Sequence, residues 1–506
     1  DKIWNYNINK NQKTILREKK EIASLFKHKE NVFNDFDLEV LLPYKQSTLG
    51  PLMSMADLNN DKLDDFYIGG SAGQEGKLFI QNKNGTFRSI SGPWGSLHKK
   101  NEDLGSLFFD ADNDGDLDLY VISGGNEFKE GNPLLTDRLY LNDGNLKFSY
   151  SNTFLPNMKH NGYKLMNIDI DNDGDQDLFI GGRLVQNKYP KIPESYILIN
   201  DGKGTFNDAS KKWLGKNQEL GLINDIIVKD LNNDGKQDLI VTGEFMGIHA
   251  FLNNGNSLFN ATETYFKNVP KGWWLSLTEA DIDNDGDFDI IAGNLGLNSK
   301  YSASRKKPFE IVFDDFDNNG SNDLIITKEY NGKKVPLRGK ECSSEQMPFI
   351  RDKYPQYKDF ANATLQDIIG KSNYENASKQ YAESFESVLL INNNDTFTIQ
   401  KLPIIAQSFP IHDVLATDID FNGYIDLILV GNITNTEVET PKLDAGNGML
   451  LKGMKDGTFK HIGNKQSGIL IPGESRSILN MKTTNQKSLF IVSQNDKSIQ
   501  GYVLND

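Results

Sequence analysis

Seven times in this chain the same nine-residue device recurs: an acidic or amide oxygen at positions 1, 3, 5 and 9, usually a glycine at position 6, and an apolar run directly after. The copies offer Asp57, Asn59, Asp61 and Asp65; Asp110, Asp112, Asp114 and Asp118; Asp169, Asp171, Asp173 and Asp177; Asp230, Asn232, Asp234 and Asp238; Asp281, Asp283, Asp285 and Asp289; Asp315, Asp317, Asn319 and Asp323; and Asp418, Asp420, Asn422 and Asp426. Position 7 is expected to add a backbone carbonyl, from Leu63, Asp116, Asp175, Lys236, Asp287, Ser321 and Tyr424. Alternate side chains converge while the glycine permits a sharp reversal, and oxygen donors at this density suit a hard cation, calcium above all. No thiolate or imidazole joins the pattern to favour a softer metal. Turn propensity alone explains one such loop; it does not demand oxygens at four fixed offsets in seven copies.

The loop is not an EF-hand, which needs a bidentate Glu at position 12 and flanking helices. Position 12 here is Ile68, Val121, Ile180, Val241, Ala292, Ile326 and Leu429, inside short apolar runs that read as buried strands. Strand, calcium loop, strand is therefore the unit. The copies at Asp110, Asp169 and Asp281 carry five acids each and should bind most tightly. Weak occupancy is expected at Asp57, where Lys62 replaces the glycine, and at Asp315 and Asp418, which use an amide at position 5.

A second signature follows most loops: Lys77-Leu-Phe-Ile80, Arg138-Leu-Tyr-Leu141, Tyr196-Ile-Leu-Ile199, His249-Ala-Phe-Leu252, Val388-Leu-Leu-Ile391 and Met449-Leu-Leu451, each leading through a polar turn to a phenylalanine. These are hairpins. Two strands around the loop and two around the hairpin make four per repeat, at a spacing of 51 to 61 residues for the first five loops. Four-stranded units repeated radially predict an all-β propeller. Seven blades result, the last lacking a metal loop; eight result if the Asp315 loop opens its own. Because that loop follows Asp281 by only 34 residues, Phe309–Phe313 reads as a third strand of the fifth blade. Residues 1–45 read as a lead-in segment, 46–328 and 388–506 as the propeller, and 329–387 as a partly helical insertion with a helix around Tyr357 to Ile369.

The formal charge is −15, and seven divalent ions would add +14, so much of the acidity is ligand charge rather than a surface for basic partners. No basic stripe with interleaved aromatics suggests nucleic acid. The single cysteine, Cys342, rules out an internal disulfide framework, leaving calcium to do the stapling. Loops of this affinity class fill where calcium is plentiful, which predicts an extracellular or cell-surface setting. No run of 18 apolar residues spans a membrane. There is no signal peptide and Asp1 carries no lipid, so export is expected to depend on a removed or unseen segment.

With these residues in view, the repeats resemble FG-GAP/VCBS propeller repeats, also seen in the integrin α-subunit head. More narrowly, Phe26-Lys-His-Lys-Glu-Asn31, Asn34-Asp-Phe36, Leu49-Gly-Pro51, Gly272-Trp-Trp274, Gly293-Asn-Leu-Gly-Leu-Asn298 and Ala406-Gln-Ser-Phe-Pro410 are similar to the C-terminal propeller of ASPIC/UnbV-associated VCBS proteins. Those are bacterial surface proteins common in Bacteroidota and related to the cartilage acidic protein family. The resemblance implies the C-terminal part of a longer precursor and association with SusCD-type outer-membrane uptake components.

Gly69-Gly-Ser71-Ala-Gly73 matches a nucleophile elbow but leads into another strand, so no catalytic role is expected. The six histidines make no His-Glu-x-x-His pair. Trp273 and Trp274 are candidates to stack on a sugar or to pack between blades. The loops opposite the metal loops, 69–77, 123–137, 181–195, 243–247, 293–308 and 431–448, carry Glu127, Arg138, Arg183, Glu244 and Asn298 near strand ends. Functional residues concentrate on loops held by a rigid scaffold. The expected function is a non-enzymatic surface module that presents this rim and the insertion to a protein or glycan. The rivals are a glycan lyase or hydrolase using the funnel and an integrin-like adhesion module.

Overall fold

The computed structural model describes residues 13–158, 160–216, 218–393, 396–484 and 487–505. Each repeat folds as an antiparallel four-stranded blade; in the second, Asp103–Phe109, Asp118–Ser123, Arg138–Asn142 and Phe148–Tyr150 pair in sequence order. The second strand of each blade is the apolar run after the metal loop. In the second blade Asp118–Ser123 is buried along its whole length, as a strand covered on both faces must be.

Seven innermost strands, Met53–Ala56, Asp103–Phe109, Gly162–Ile168, Leu222–Lys229, Gly272–Ala280, Ile411–Thr417 and Ser475–Lys482, lie side by side in that order, and the last returns to the first. The ring is thus closed by seven blades. Short helices after outer strands seal the seams: Pro93–Ser96 buries Trp94 and Ser210–Trp213 buries Trp213.

The lead-in does more than precede the ring. Three strands of the seventh blade come from the C-terminal end, and its outermost, Leu16–Glu18, pairs with Gln500–Leu504. Residues 1–12 of the expected lead-in lie outside the described residues.

The insertion is larger than the absence of repeats suggested. The fifth blade leaves its second strand at Asn294 and resumes at Val388, which pairs Asp289–Asn294 with Val388–Asn392. Phe309–Asp314 is therefore not the third strand of that blade. It forms a separate four-stranded sheet with Asp323–Tyr330, Lys333–Pro336 and Ser378–Ala382, so the Asp315 loop lies in the insertion. A strand–loop–strand signal does not encode which neighbour the strand pairs with, hence the misplacement. Five short helices and their ends pack Met347, Ile350, Phe360, Leu365 and Ile368 onto Val312 and Ile325 of this sheet and Phe316 of its loop. The expected helix around Tyr357 to Ile369 is broken in two, because Thr364 and Asp367 form a capping box that starts a new helix at Leu365.

Candidate metal centres and the opposite face

Six of the seven acidic loops share one hydrogen-bond scheme, and the Asp110 loop keeps it except at Asp110 Oδ1. In the Asp169 loop, Asp169 Oδ1 and Oδ2 accept the amides of Asp173 and Gly174, and Asp173 accepts the amide of Asp175. Positions 4 and 6 take positive φ, Asn172 at 61° and Gly174 at 96°, which is why Asn and Gly fill them. The Asp57 loop keeps the turn with Lys62 at φ 70°, and the Asp418 loop places Phe421 at φ 56°.

Position 9 has a separate task. Asp65, Asp118, Asp177, Asp238, Asp289, Asp323 and Asp426 are buried, and each accepts the amide of loop position 2, as Asp118 does from Ala111 at 2.8 Å. In the six blades the other oxygen accepts an amide of the third strand, Asn142 in the case of Asp118. One carboxylate thus pins loop, second strand and hairpin together.

Five triads of carboxylates have oxygens within 4.8 Å of one another: Asp110, Asp112 and Asp118; Asp169, Asp171 and Asp177; Asp281, Asp283 and Asp285; Asp315, Asp317 and Asp323; and Asp418, Asp420 and Asp426. The other two loops put an amide, Asn59 or Asn232, at position 3. Asp110 Oδ1, Asp112 Oδ1 and Asp171 Oδ1 are buried with no hydrogen-bond partner. Burial, then the neighbouring acids, holds Asp112, Asp171 and Asp283 above the ordinary carboxylate range. Burial pushes Asp65, Asp118, Asp177 and Asp323 up to about 7. Unpartnered oxygens converging at such cost fit a hard divalent cation, which would supply the missing charge and coordination.

Two loops have a competitor that the spacing did not reveal. Lys236 Nζ lies 3.2 Å from Asp234 in its own loop, and Lys452, from the hairpin of the sixth blade, is bonded to Asp420. The six blade loops share one face with the hairpin turns, and neighbours touch: the Asn113 amide donates to Asp175, and that of Asn284 to the Gly423 carbonyl.

The opposite face is covered. Residues 26–52 run across it, touching the first, second, third, fourth, sixth and seventh blades. Ser71 donates to the Lys29 carbonyl, Asn126 to Asp35 and Glu39, the Tyr189 amide to Glu39, Tyr44 to Glu244, the Lys45 amide to the Asn435 carbonyl, and Arg476 to the Thr48 carbonyl.

Of the residues expected at an open rim, Arg138, Arg183 and Glu244 are accordingly internal. Arg183, 1% exposed, bonds Glu244, Tyr44 and Gln46; Arg138 bonds Asp103 at 2.8 Å and Ser123 at 3.0 Å. Glu127 accepts from Asn31, and Asn298 donates to the Ser408 carbonyl. The covering segment strips Arg183 and Glu244 of water and pairs them through Tyr44 and Gln46, whereas Glu127 keeps Oε2 without a partner and Asn298 stays exposed. Trp273 and Trp274 are both buried. Trp273 stacks on Tyr301 and packs against Phe245 and Tyr44, which leaves no ring for a sugar. Ser71 is buried as well, and the Cys342 thiol donates to Glu439. Inside the ring, Lys164 of the third blade lies 3.6 Å from Asp225 of the fourth.

Residues 57–121, 110–180 and 230–292 match the model for the FG-GAP-like repeat. No curated protein matches the sequence. Similar solved structures include YCF48 bound to D1 peptide, at 9% identity and TM-score 0.42 over 95% of this chain and 98% of that one. Another is the V. cholerae biofilm matrix protein Bap1, at 9% identity and TM-score 0.39 over 95% and 90%. A third is BBS1N in complex with ARL6DN, at 10% identity and TM-score 0.41 over 91% and 94%. By its own strand topology and its matched repeats, this chain is a seven-bladed β-propeller carrying FG-GAP-like repeats.

Proposed function

We propose that the protein is a calcium-stiffened, non-catalytic surface module whose ring holds the inserted subdomain out to a protein or glycan partner. The observation that carries this reading is the placement of the insertion. It has its own sheet and helical core outside a ring already closed by seven blades, packs the other face of that sheet through Phe309, Ile311 and Leu324 onto the ring's covered face, and carries the one acidic loop that belongs to no blade. Tyr330 and Tyr357 on it are 63% and 61% exposed, the kind of side chain that anchors interfaces. The opposite rim, by contrast, has its arginines Arg138, Arg183 and Arg476 spent on internal pairs and is crossed by residues 26–52, so presentation falls to the insertion. Its Asp315 loop has no third-strand amide on Asp323 and instead sets Leu324 against Gln346 of the first inserted helix, which ties helix placement to that loop.

Calcium is the cation that the all-oxygen donor set favours, and a calcium-rich extracellular or cell-surface setting is the one that keeps such loops filled. None of the helices is long and apolar enough to cross a membrane, among the described residues. Outer-membrane SusCD-type components are the partner that the sequence resemblance suggests. Cross-linking of the full chain on intact source cells tests this. Links from Lys340, Lys353 or Lys358 of the insertion to an outer-membrane transport protein, lost in EGTA, are expected. Links to matrix protein alone favour adhesion, and turnover of an acidic glycan by purified protein overturns the non-catalytic reading.

A further inference from the structure

The inserted sheet has two edges, and they are guarded unequally. Its order runs Lys333–Pro336, Asp323–Tyr330, Phe309–Asp314, Ser378–Ala382, so the first and last of these strands pair on one side only. An unpaired strand edge is a row of backbone donors and acceptors that a second chain can extend, and proteins blunt it with lysine or proline. Lys333, Lys334 and Pro336 blunt the first edge. The last strand, Ser-Lys-Gln-Tyr-Ala, has one lysine and no proline. Beyond its end the edge is closed, because the amides of Glu383 and Ser384 donate to the Lys271 carbonyl of the ring. From Ser378 to Tyr381, among the described residues, no backbone group finds a backbone partner outside the pairing with Phe309–Asp314.

That stretch meets a cleft of about 560 Å³ between the insertion and the third blade, lined by Ser378, Lys379 and Gln380. Successive side chains of a strand point to opposite faces. Here Ser378 and Gln380 pair with Phe313 and Ile311 on the ring side, and Lys379 with Val312 on the helix side. A cleft that touches all three therefore runs past the edge of the strand and not over one face. The opposite wall is Lys188, Lys191 and Ile192 of the third blade. Asn322 donates to the Tyr189 carbonyl at 2.9 Å, which ties the two walls together.

We propose that this cleft takes an extended peptide of a protein partner, one that alternates acidic and apolar residues and adds to the sheet along Ser378–Tyr381. The inference rests on the reading that the insertion is presented to a partner, and names the surface that receives it. Main-chain hydrogen bonds to an open edge give such a peptide its affinity, and its alternate side chains give specificity. Lys191 and Lys379 are exposed, so acids of the peptide meet their ammonium groups and that of Lys188 across the cleft. Lys188 is paired with Glu130 at 2.8 Å, in an exposed bridge that a peptide carboxylate displaces at little cost. Phe313 and Ile192 line the same cleft and give an apolar side chain its contact. Of the acids that line it too, Glu219, Asp314 and Asp315, the last belongs to a carboxylate triad whose charge a bound cation answers.

Hydrogen exchange of the full chain in millimolar Ca2+, read by mass spectrometry with and without a millimolar peptide of alternating Glu and Val, tests the proposal. Slowed exchange over 378–381 is expected, and none from the same peptide N-methylated along its backbone, which has no donors for the ladder. Replacing both exposed lysines, Lys191→Glu with Lys379→Glu, should raise the peptide concentration needed by about tenfold. Equal protection by the N-methylated peptide, equal protection in the double variant, or unchanged exchange over 378–381 in wild type each overturns the proposal. If exchange is unchanged while the insertion still cross-links to a partner on cells, the cleft is lost and the presentation reading stands.

Discussion

The two faces of the disc treat buried charge in opposite ways. On the loop face, carboxylates of one sign converge, and among the described residues no ion pair answers them in the Asp110 and Asp169 loops. On the covered face, Arg138, Arg183 and Arg476 are drawn inside and matched to Asp103, Glu244 and Glu474. One face therefore offers converging oxygens to what the solution supplies, while the other pairs its arginines within the chain. The contrast bears on how a chain of net charge −15 builds a compact ring: part of its acidity converges in triads that could hold metal ions and part is neutralised by its own arginines.

The largest expected effect comes from removing ions. A site that binds the folded state alone adds about 4 kcal/mol when free Ca2+ exceeds Kd a thousandfold, and five acid triads multiply this. Calorimetry in millimolar Ca2+ and in EGTA should differ in Tm by about 10 °C or more. Equal melting in both solutions breaks the comparison at its root.

Arg183→Met makes the complementary cut. It leaves Glu244 buried with only Tyr44 and Tyr189 as donors, and loss of one partner from a buried pair costs about 3–5 kcal/mol. The loss should be the same in Ca2+ and in EGTA, since the pair belongs to the covered face. A calcium-dependent loss would mean that the two faces are coupled.

Within one loop, Asp112→Asn and Asp118→Asn should separate ion binding from scaffolding. Asp118 pins Ala111 and Asn142, so its replacement costs about 1–3 kcal/mol even in EGTA, as an unsatisfied buried donor does. Asp112 has a buried oxygen with no partner, so its replacement should weaken calcium binding and leave the EGTA melting point level or higher. Equal behaviour of the two variants removes the distinction.

These roles were unequally legible in the sequence. The seven loops and the seven-bladed ring were visible because a repeat states its own period: Asp110 to Asp118 encodes turn, ligands and following strand in nine residues. The covered face was not. Arg183, Glu244 and Tyr44 are 61 and 139 residues from one another along the chain, and no local pattern says that they meet. Position near a strand end gave the right neighbourhood for Arg138 and Glu244 but the wrong exposure: Arg138 is buried against Asp103 and Ser123 of its own blade, and Glu244 meets Tyr44 of the segment that precedes the first blade. The same limit misplaced Phe309–Asp314, whose partner Ser378–Ala382 follows five helices later.

The covered face has a smaller signature in pH. Glu39 is buried beneath Asn126 and the Tyr189 amide, and burial lifts its carboxyl to about 7. The folded state then holds a proton that the unfolded chain, with its carboxyl near 4.5, releases, so the stability from this group falls as pH rises from about 4.5 to about 7 and is level above. Glu39→Gln should flatten that part of the stability–pH curve measured by urea unfolding; an unaltered slope assigns it to other buried acids of the same face.

The smallest effect sharpens the loop face from within. In the sixth blade Lys452 occupies Asp420, so an ion entering the Asp418 loop must displace an ammonium group. Exposed pairs of this kind are worth about 0.2–1 kcal/mol, which corresponds to a gain of up to about fivefold in affinity once the lysine is gone. Lys452→Gln should therefore tighten only the weakest step of a calcium titration followed by calorimetry, and leave the Asp110 and Asp169 loops as they were. If every step tightens together, the lysine acts through the general field of the loop face, and the ions along it bind as one set.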